Sequence, residues 1–501
     1  MKKLETTKSL CPICLNVIEA TLCESDGKVI MEKTCTEHGD FSDVIWSNAE
    51  YYKWAQNYAQ DGVGITNCNT HAEKGCPLDC GICENHLTST LLANIDLTNR
   101  CNMRCPICFA NAAAAGYVLE PDREKIREIM VRLASEKPVR CYAVQFSGGE
   151  PTVRDDLPDI ISDAKELGYT QIQVATNGLR FSKDIDYAKS VLDAGLNTVY
   201  LGFDGVTPRP YEVARGYNAY PQKLKAIDNM RKAGYSSVVL VPVLVKGVSD
   251  DQVGDIVRFG MDNTDIIKGI NFQPVSFSGR IDKDELKNMR ITIADLARLL
   301  DEQTDGQITK EDLYPVPCVS VISSFIEAWK HERQITLTCH PNCGVGTYLF
   351  KINDTILPIT RFVDVDGLFH LLQDITESIG EGGKISKAKA ATKLTREVPK
   401  LIDSRHAPPG VNLRNLLLSV LTNGTVGDTA AFHNNTMFLG AMHFMDPYNF
   451  DIERVKRCGI HYGLPDGRIV PFCSYNAVHR PVFEKEYGIP LDEWRKKHRE
   501  E

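Results

Sequence analysis

The chain has 501 residues, with 25% charged, 43% hydrophobic and a net charge of −9 at neutral pH. That length predicts about two to four domains. The acidic balance argues against a nucleic-acid partner, because such surfaces usually carry a basic patch. Met1-Lys2-Lys3 runs straight into Leu4-Glu5-Thr6-Thr7, with no apolar stretch that would mark a signal peptide. The longest apolar run, Val238 to Val245, is interrupted by Pro242 and is far shorter than the roughly 20 residues that span a bilayer. The expectation is a cytoplasmic protein with no transmembrane span, peripheral to a membrane at most. Seventeen cysteines in such a chain indicate a reducing compartment, where cysteine patterns are read as metal sites rather than disulfides.

Residues 1–60 predict a small metal-holding ribbon. Cys11-Pro12-Ile13-Cys14 is one knuckle and Cys35-Thr36-Glu37-His38 a second. Ser25-Asp26-Gly27-Lys28 reads as a hairpin turn, with Val29-Ile30-Met31 as the returning strand. Cys11, Cys14, Cys35 and His38 then hold one tetrahedral ion, with Cys23 the rival for the fourth place. Zinc and a rubredoxin-like iron both suit such a site. A unit this small needs a staple to supplement its core.

Residues 61–90 carry Cys76, Cys80 and Cys83 in the spacing Cys-x3-Cys-x2-Cys. Cys101, Cys105 and Cys108 repeat the same spacing. A structural zinc site wants four ligands. Three thiolates on one loop suit a 4Fe–4S cube that keeps one iron for another ligand. His86, or a cysteine from elsewhere, is the candidate to complete the first set.

From residue 91 strand and helix alternate. Strands are predicted over Leu91–Leu97, Tyr142–Phe146, Gln171–Ala175, Thr198–Phe203, Val238–Val245 and Gly269–Phe272. Helices are predicted over Asp122–Ala134, Leu157–Leu167, Asp184–Ala194 and Gln222–Ala233, and another is capped by Ser249 and Asp250. Gly168, Gly195 and Gly234 follow three of these helices, as C-caps do. Six strand-then-helix units imply an α/β fold on a parallel sheet with right-handed crossovers. The distinctive residues fall at strand C-terminal ends, where parallel sheets place ligands.

Residues 291–501 are less regular. Thr292–Leu300 and Val319–Trp329 read as helices, and the Lys- and Arg-rich stretch 383–406 as a solvated helix, with phosphate binding its alternative. Cys318, Cys343, Cys458 and Cys473 form the best set for a further cluster, with Cys339 competing with Cys343. Cys68 and Cys141 are left over as buried thiols.

The stretch Asp96-Leu97-Thr98-Asn99-Arg100-Cys101-Asn102-Met103-Arg104-Cys105-Pro106-Ile107-Cys108-Phe109, followed by Phe146-Ser147-Gly148-Gly149-Glu150-Pro151, resembles the radical S-adenosylmethionine (SAM) superfamily. The resemblance implies a partial (βα)6 TIM-like barrel over 91–290. It makes Cys101, Cys105 and Cys108 the ligands of the SAM-binding cluster, with Phe109 as the aromatic neighbour. Gly148, Gly149, Glu150 and Pro151 then approach the methionyl amino group of SAM, and Glu150 supplies charge for that ammonium. Thr176, Asn177, Asp204 and Gln273 lie where the superfamily contacts SAM or substrate. In that superfamily the reduced cluster cleaves SAM to methionine and a 5′-deoxyadenosyl radical, which takes hydrogen from unactivated carbon.

Over nearly its whole length the chain also resembles an archaeal-type subfamily that includes the tetraether lipid synthases and proteins assigned to pterin methylation. The first expectation is therefore an enzyme that joins isoprenoid chain ends of archaeol-type phospholipids, with a long apolar groove at the barrel mouth. It implies about three 4Fe–4S clusters, SAM, one mononuclear iron or zinc, and an electron donor such as ferredoxin or flavodoxin. A radical SAM methylase of a pterin-type cofactor is the alternative. An RNA-modifying enzyme is disfavoured by the acidic charge. A plain iron–sulfur electron carrier leaves the Gly-Gly-Glu-Pro turn without a purpose.

Overall fold

The computed structural model describes residues 1–68, 70–380, 383–408 and 436–497. Residues 1–46 fold as four antiparallel strands in chain order: β1 (Lys2–Leu10), β2 (Val17–Ser25), β3 (Lys28–Cys35) and β4 (Gly39–Trp46). The predicted turn at Ser25–Lys28 joins β2 to β3. Each cysteine knuckle sits in a loop between strands, one after β1 and one after β3. The helix α1 (Ala49–Gln56) follows, with Asn48 accepting the Tyr51 amide as its N-cap. Among the described residues, 57–91 contain no helix or strand, so the first cysteine triplet lies in irregular chain.

The alternating region folds as the patterning predicts. Its strands are β5 (Leu92–Thr98), β6 (Ala143–Gly148), β7 (Gln171–Thr176), β8 (Thr198–Gly202), β9 (Val238–Val241) and β10 (Ile267–Pro274). The intervening helices are α2 (Arg123–Ala134), α3 (Leu157–Glu166), α4 (Ile185–Asp193), α5 (Tyr220–Ala233) and α6 (Val253–Asp262). Asp122 and Asp184 cap α2 and α4 by accepting amides one turn on. The run Val238–Val245 divides at Pro242, which has no N–H for the ladder, into β9 and a two-residue strand. Apolar side chains such as Ile95, Val144, Phe146, Ile172, Val174 and Leu201 are fully or nearly fully buried in the main core.

The C-terminal third departs from expectation. Where the patterning shows only helices, it also adds strands to both edges of the core sheet. The helices α7 (Ile293–Gln303) and α8 (Ser320–Lys330) match the patterning. They precede β11 (Gly344–Ile352), α9 (Val365–Gly380) and α10 (Gly383–Glu397), the last covering most of the predicted basic helix. Then β12 (Met437–Met442) pairs parallel with β10, and β13 (Ile460–Gly463) pairs parallel with β5. The order β13-β5-β6-β7-β8-β9-β10-β12 makes eight parallel strands, two more than predicted. Beyond them, β11 and β14 (Ile469–Pro471) run antiparallel at the two flanks. Among the described residues, no helix is long and apolar enough to cross a membrane.

The ribbon is tied to this sheet by buried polar contacts. Arg290 bridges Asp43 of β4 at 2.6 Å and Asp446, just past β12, at 2.8 Å. All three side chains are buried. Lys33 of β3 donates to the Pro447 carbonyl at 2.7 Å, and Thr7 of β1 to Asp451 at 2.7 Å. Removing Arg290 leaves two carboxylates buried without their cation. Arg290→Met should therefore cost ~3–5 kcal/mol in urea or thermal denaturation. A loss within ~0.5 kcal/mol, the range of an ordinary surface change, would contradict this account of the junction.

Candidate functional site

The second triplet lies in the loop after β5, at the C-terminal end of the sheet. Its backbone is pinned from two sides. Cys108 and Arg280 exchange two backbone hydrogen bonds of 2.9 Å, and the Arg280 guanidinium donates to the Cys105 carbonyl at 2.7 Å. Gly148 and Gly149 press against the start of the loop. A Cβ on Gly148 would stand 2.2 Å from the Thr98 carbonyl oxygen, and one on Gly149 2.2 Å from that of Arg100. The two glycines thus serve close packing of backbone on backbone.

Glu150, which the resemblance sets against a ligand ammonium, is also held by the chain itself. One oxygen accepts from the hydroxyls of Thr152 at 2.6 Å and Thr176 at 2.7 Å; the other accepts the Asn177 amide at 2.7 Å. Asn177 in turn donates to Asn102, inside the cysteine loop, at 2.7 Å. Glu150, Thr176 and Asn177 therefore lock the ends of β6 and β7 to that loop. Asp204 behaves likewise. It is buried and takes a bidentate pair from Arg215 at 2.6 and 2.7 Å. Arg215 faces the cavity beyond, together with Lys223. Burial holds the Lys223 amine down at about 8, and its nitrogen donates to the Asn177 carbonyl at 2.6 Å. Sequence reasoning missed both cations, since each sits on a helix whose pattern marks it as a surface position.

These elements surround a cavity of about 480 Å³. Cys101, Cys105, Cys108, Phe109, Gly148, Gly149, Glu150, Thr176, Asn177 and Gln273 all line it; Pro151, buried in a 3-10 turn behind Glu150, and Asp204 do not. Burial pushes the Cys101 thiol up to about 12. The donor set fits a cluster with an open iron: three thiols on one loop, facing a cavity. The opposite wall comes from the C-terminal chain. Phe472 stacks on Phe444 at 4.1 Å between ring centres and lies 5.3 Å from Tyr462 and 5.7 Å from Phe109. Amide side chains of Asn94, Gln145, Asn271, Gln273 and Asn476 face the same space. Gln145 donates to Asn94 at 2.8 Å, and its own carbonyl oxygen is buried with no partner.

The ribbon brings Cys11, Cys14, Cys35 and His38 together, with ligand atoms all within 4.8 Å of one another. The rival Cys23 is buried within β2 and lies outside this group. In the first triplet, the Cys76 and Cys80 thiols are in hydrogen-bonding contact. His86 does not turn toward them. It bonds the Cys458 carbonyl at 2.8 Å and meets His461 at 3.1 Å.

The C-terminal set also differs from expectation. Cys339 and Cys343 are in hydrogen-bonding contact, and Cys343, Cys458 and Cys473 are electrostatic neighbours. The buried Arg454 lies among them, in contact with Cys343. Contact with Cys339, reinforced by Arg454, draws the Cys343 thiol down to about 6. Cys318 stands apart, in the 3-10 turn just before α8, where its electrostatic neighbours are Asp366, Tyr314 and Tyr58. Cys339 and Cys343 thus stand side by side, and Cys318 is not among their neighbours. Wide spacing hid this, because Cys343 and Cys473 become neighbours only through the added strands. Iron analysis of anaerobic protein should show Cys339→Ala losing roughly four irons, one cube's worth, and Cys318→Ala losing none. Loss of iron in the Cys318 variant alone would reverse the assignment.

Comparison with known proteins follows this geometry. The radical SAM superfamily model matches residues 95–260, and a model described as the HMPTM N-terminal zinc ribbon domain matches residues 3–47. The 7,8-dihydro-6-hydroxymethylpterin dimethyltransferase of Methanocaldococcus jannaschii is 49% identical over 98% of this chain and 97% of its own length. A GTP 3′,8-cyclase of Limosilactobacillus fermentum is 30% identical over 37% of this chain and 54% of its own. Among solved structures, Streptococcus suis SuiB bound to S-adenosylmethionine aligns over 44% of this chain and 48% of its own, with 19% identity and a TM-score of 0.36. With matching sequence from the ribbon to the last helix, the chain belongs to the radical SAM superfamily, in the family of the Methanocaldococcus jannaschii pterin dimethyltransferase.

Proposed function

We propose that this protein is a radical SAM methyltransferase of a reduced, pterin-type molecule. The full-length relationship to a pterin dimethyltransferase supports this reading over tetraether lipid synthesis. The lining of the cavity carries the argument. A pterin is a flat ring system with hydrogen-bonding edges. Stacked aromatics at Phe444, Phe472 and Tyr462 suit its faces, and the amides suit its edges. The buried, unpartnered Gln145 carbonyl is costly unless a bound molecule donates to it, as the amino group of a pterin can. Two isoprenoid chains have no donor to offer. A compact cavity of about 480 Å³ is also the size of an ordinary small-molecule site.

Cys101, Cys105 and Cys108 would hold a 4Fe–4S cluster, which with SAM would supply the power to take hydrogen from carbon. The chain's own residues do the rest. The Glu150–Thr176–Asn177 lock holds the loop still. Arg215 and Lys223 place positive charge beside the cavity, which suits an anionic group such as a carboxylate. The aromatic wall orients the substrate and keeps water from the reacting carbon. Further clusters at Cys76, Cys80 and Cys83 and at Cys339, Cys343, Cys458 and Cys473 would carry electrons from a ferredoxin- or flavodoxin-type donor. The ribbon ion, zinc or iron, is structural in this reading.

Anaerobic incubation with SAM, a strong reductant, a methyl donor and 7,8-dihydro-6-hydroxymethylpterin tests the proposal by mass spectrometry. The expected product carries one or two added methyl groups. An unchanged pterin, with a diphytanyl glycerol phospholipid losing two hydrogens per bond formed instead, would restore the lipid reading.

A further inference from the structure

A cube has four irons, and Cys76, Cys80 and Cys83 offer three thiolates. The other cysteines sit in the ribbon, at the second triplet, in the C-terminal set, or singly at Cys23, Cys68, Cys141 and Cys318. Cys68 donates to the Ile65 carbonyl and Cys141 to the Ala143 carbonyl. His86, the sequence candidate, is turned toward Cys458.

The segment after Cys473 lies against this triplet instead. Ser474 donates its hydroxyl to the Cys80 sulfur at 3.0 Å. The His479 imidazole is in hydrogen-bonding contact with the Cys80 thiol. Its Nε2 also lies 2.8 Å from the Pro77 carbonyl, between Cys76 and Cys80. A carbonyl can only accept, so Nε2 carries the proton and Nδ1 keeps its lone pair. Metal-bound histidines are held in this way, with the second ring N–H given to a backbone carbonyl. His479 closes a π-helical turn, Tyr475–His479, a rare geometry frequent at functional sites.

We propose that His479 is the fourth protein ligand of a 4Fe–4S cluster on Cys76, Cys80 and Cys83, bound through Nδ1. The inference rests on the auxiliary-cluster reading above. Replacing a thiolate with a neutral imidazole removes one negative charge from the shell. That raises the reduction potential relative to an all-cysteine site.

Pulsed EPR of reduced full-length protein, labelled with 15N-histidine, tests the ligand directly. A 15N coupling typical of directly bound nitrogen should be present in the wild type and in His86→Ala. It should vanish in His479→Ala and in His479→Cys. The cysteine variant should keep its iron and show a lower cluster potential, which separates ligand exchange from misfolding. A wild type without the coupling, or a coupling that survives in His479→Cys, would overturn the assignment. Iron content of Cys80→Ala decides the cluster itself. If that variant loses no iron there is no cluster there; if it loses a cube's worth while the coupling is absent, only the histidine ligation fails.

Discussion

A six-stranded parallel sheet has two bare edges, and the fold depends on how this chain covers them. Each edge strand presents a row of N–H and C=O groups that must be paired. Here the far end of the chain returns to both. Met437–Met442 pairs with Ile267–Pro274, and Ile460–Gly463 with Leu92–Thr98. Each pairing leaves the sheet near the cysteine loop and delivers a different wall. The first places Phe444 and Met445 at the cavity; the second places Tyr462, and after it Phe472 and Asn476. Covering the edges and building the substrate side of the site are one event.

The same returns bring the C-terminal cysteines together. Cys458 precedes the second added strand and Cys473 follows the hairpin that flanks it. They meet Cys343, which immediately precedes the antiparallel strand Gly344–Ile352. Arg454 lies in their midst, a buried cation that offsets part of the charge four thiolates bring. The ribbon supports this arrangement from beneath. Arg290 and Lys33 bind it to residues 446–447, a few residues after Met445 reaches the cavity. Placing those residues fixes the wall that bears on the substrate.

The sequence made much of this legible and hid a definite part. The alternating core could be read because each strand is short, apolar and punctuated: Asp122 and Asp184 cap helices, and Pro242 splits a strand. The ribbon site followed from two knuckles whose spacing is local. The eight-stranded sheet could not be read. Met437–Met442 is a brief apolar run whose partner lies about 170 residues earlier, and neither alternation nor a turn announces it. For the same reason Cys339 was set against Cys343, its neighbour in the fold, and the pairing of Asp204 with Arg215 was not foreseen. The intramolecular partners of Glu150 were hidden because a motif names a residue and not the neighbours of its side chain.

One lumen, walled by the C-terminal chain and opening on Cys101, Cys105 and Cys108, is the central claim. Iron-edge anomalous diffraction from anaerobically reconstituted crystals soaked with a hydroxymethylpterin tests it most directly. The account predicts three compact iron densities: at Cys101, Cys105 and Cys108; at Cys76, Cys80 and Cys83; and at Cys339, Cys343, Cys458 and Cys473. It also predicts a flat ring between Phe472 and the first of them. Iron beside Cys318, or a lumen without the pterin, would contradict it.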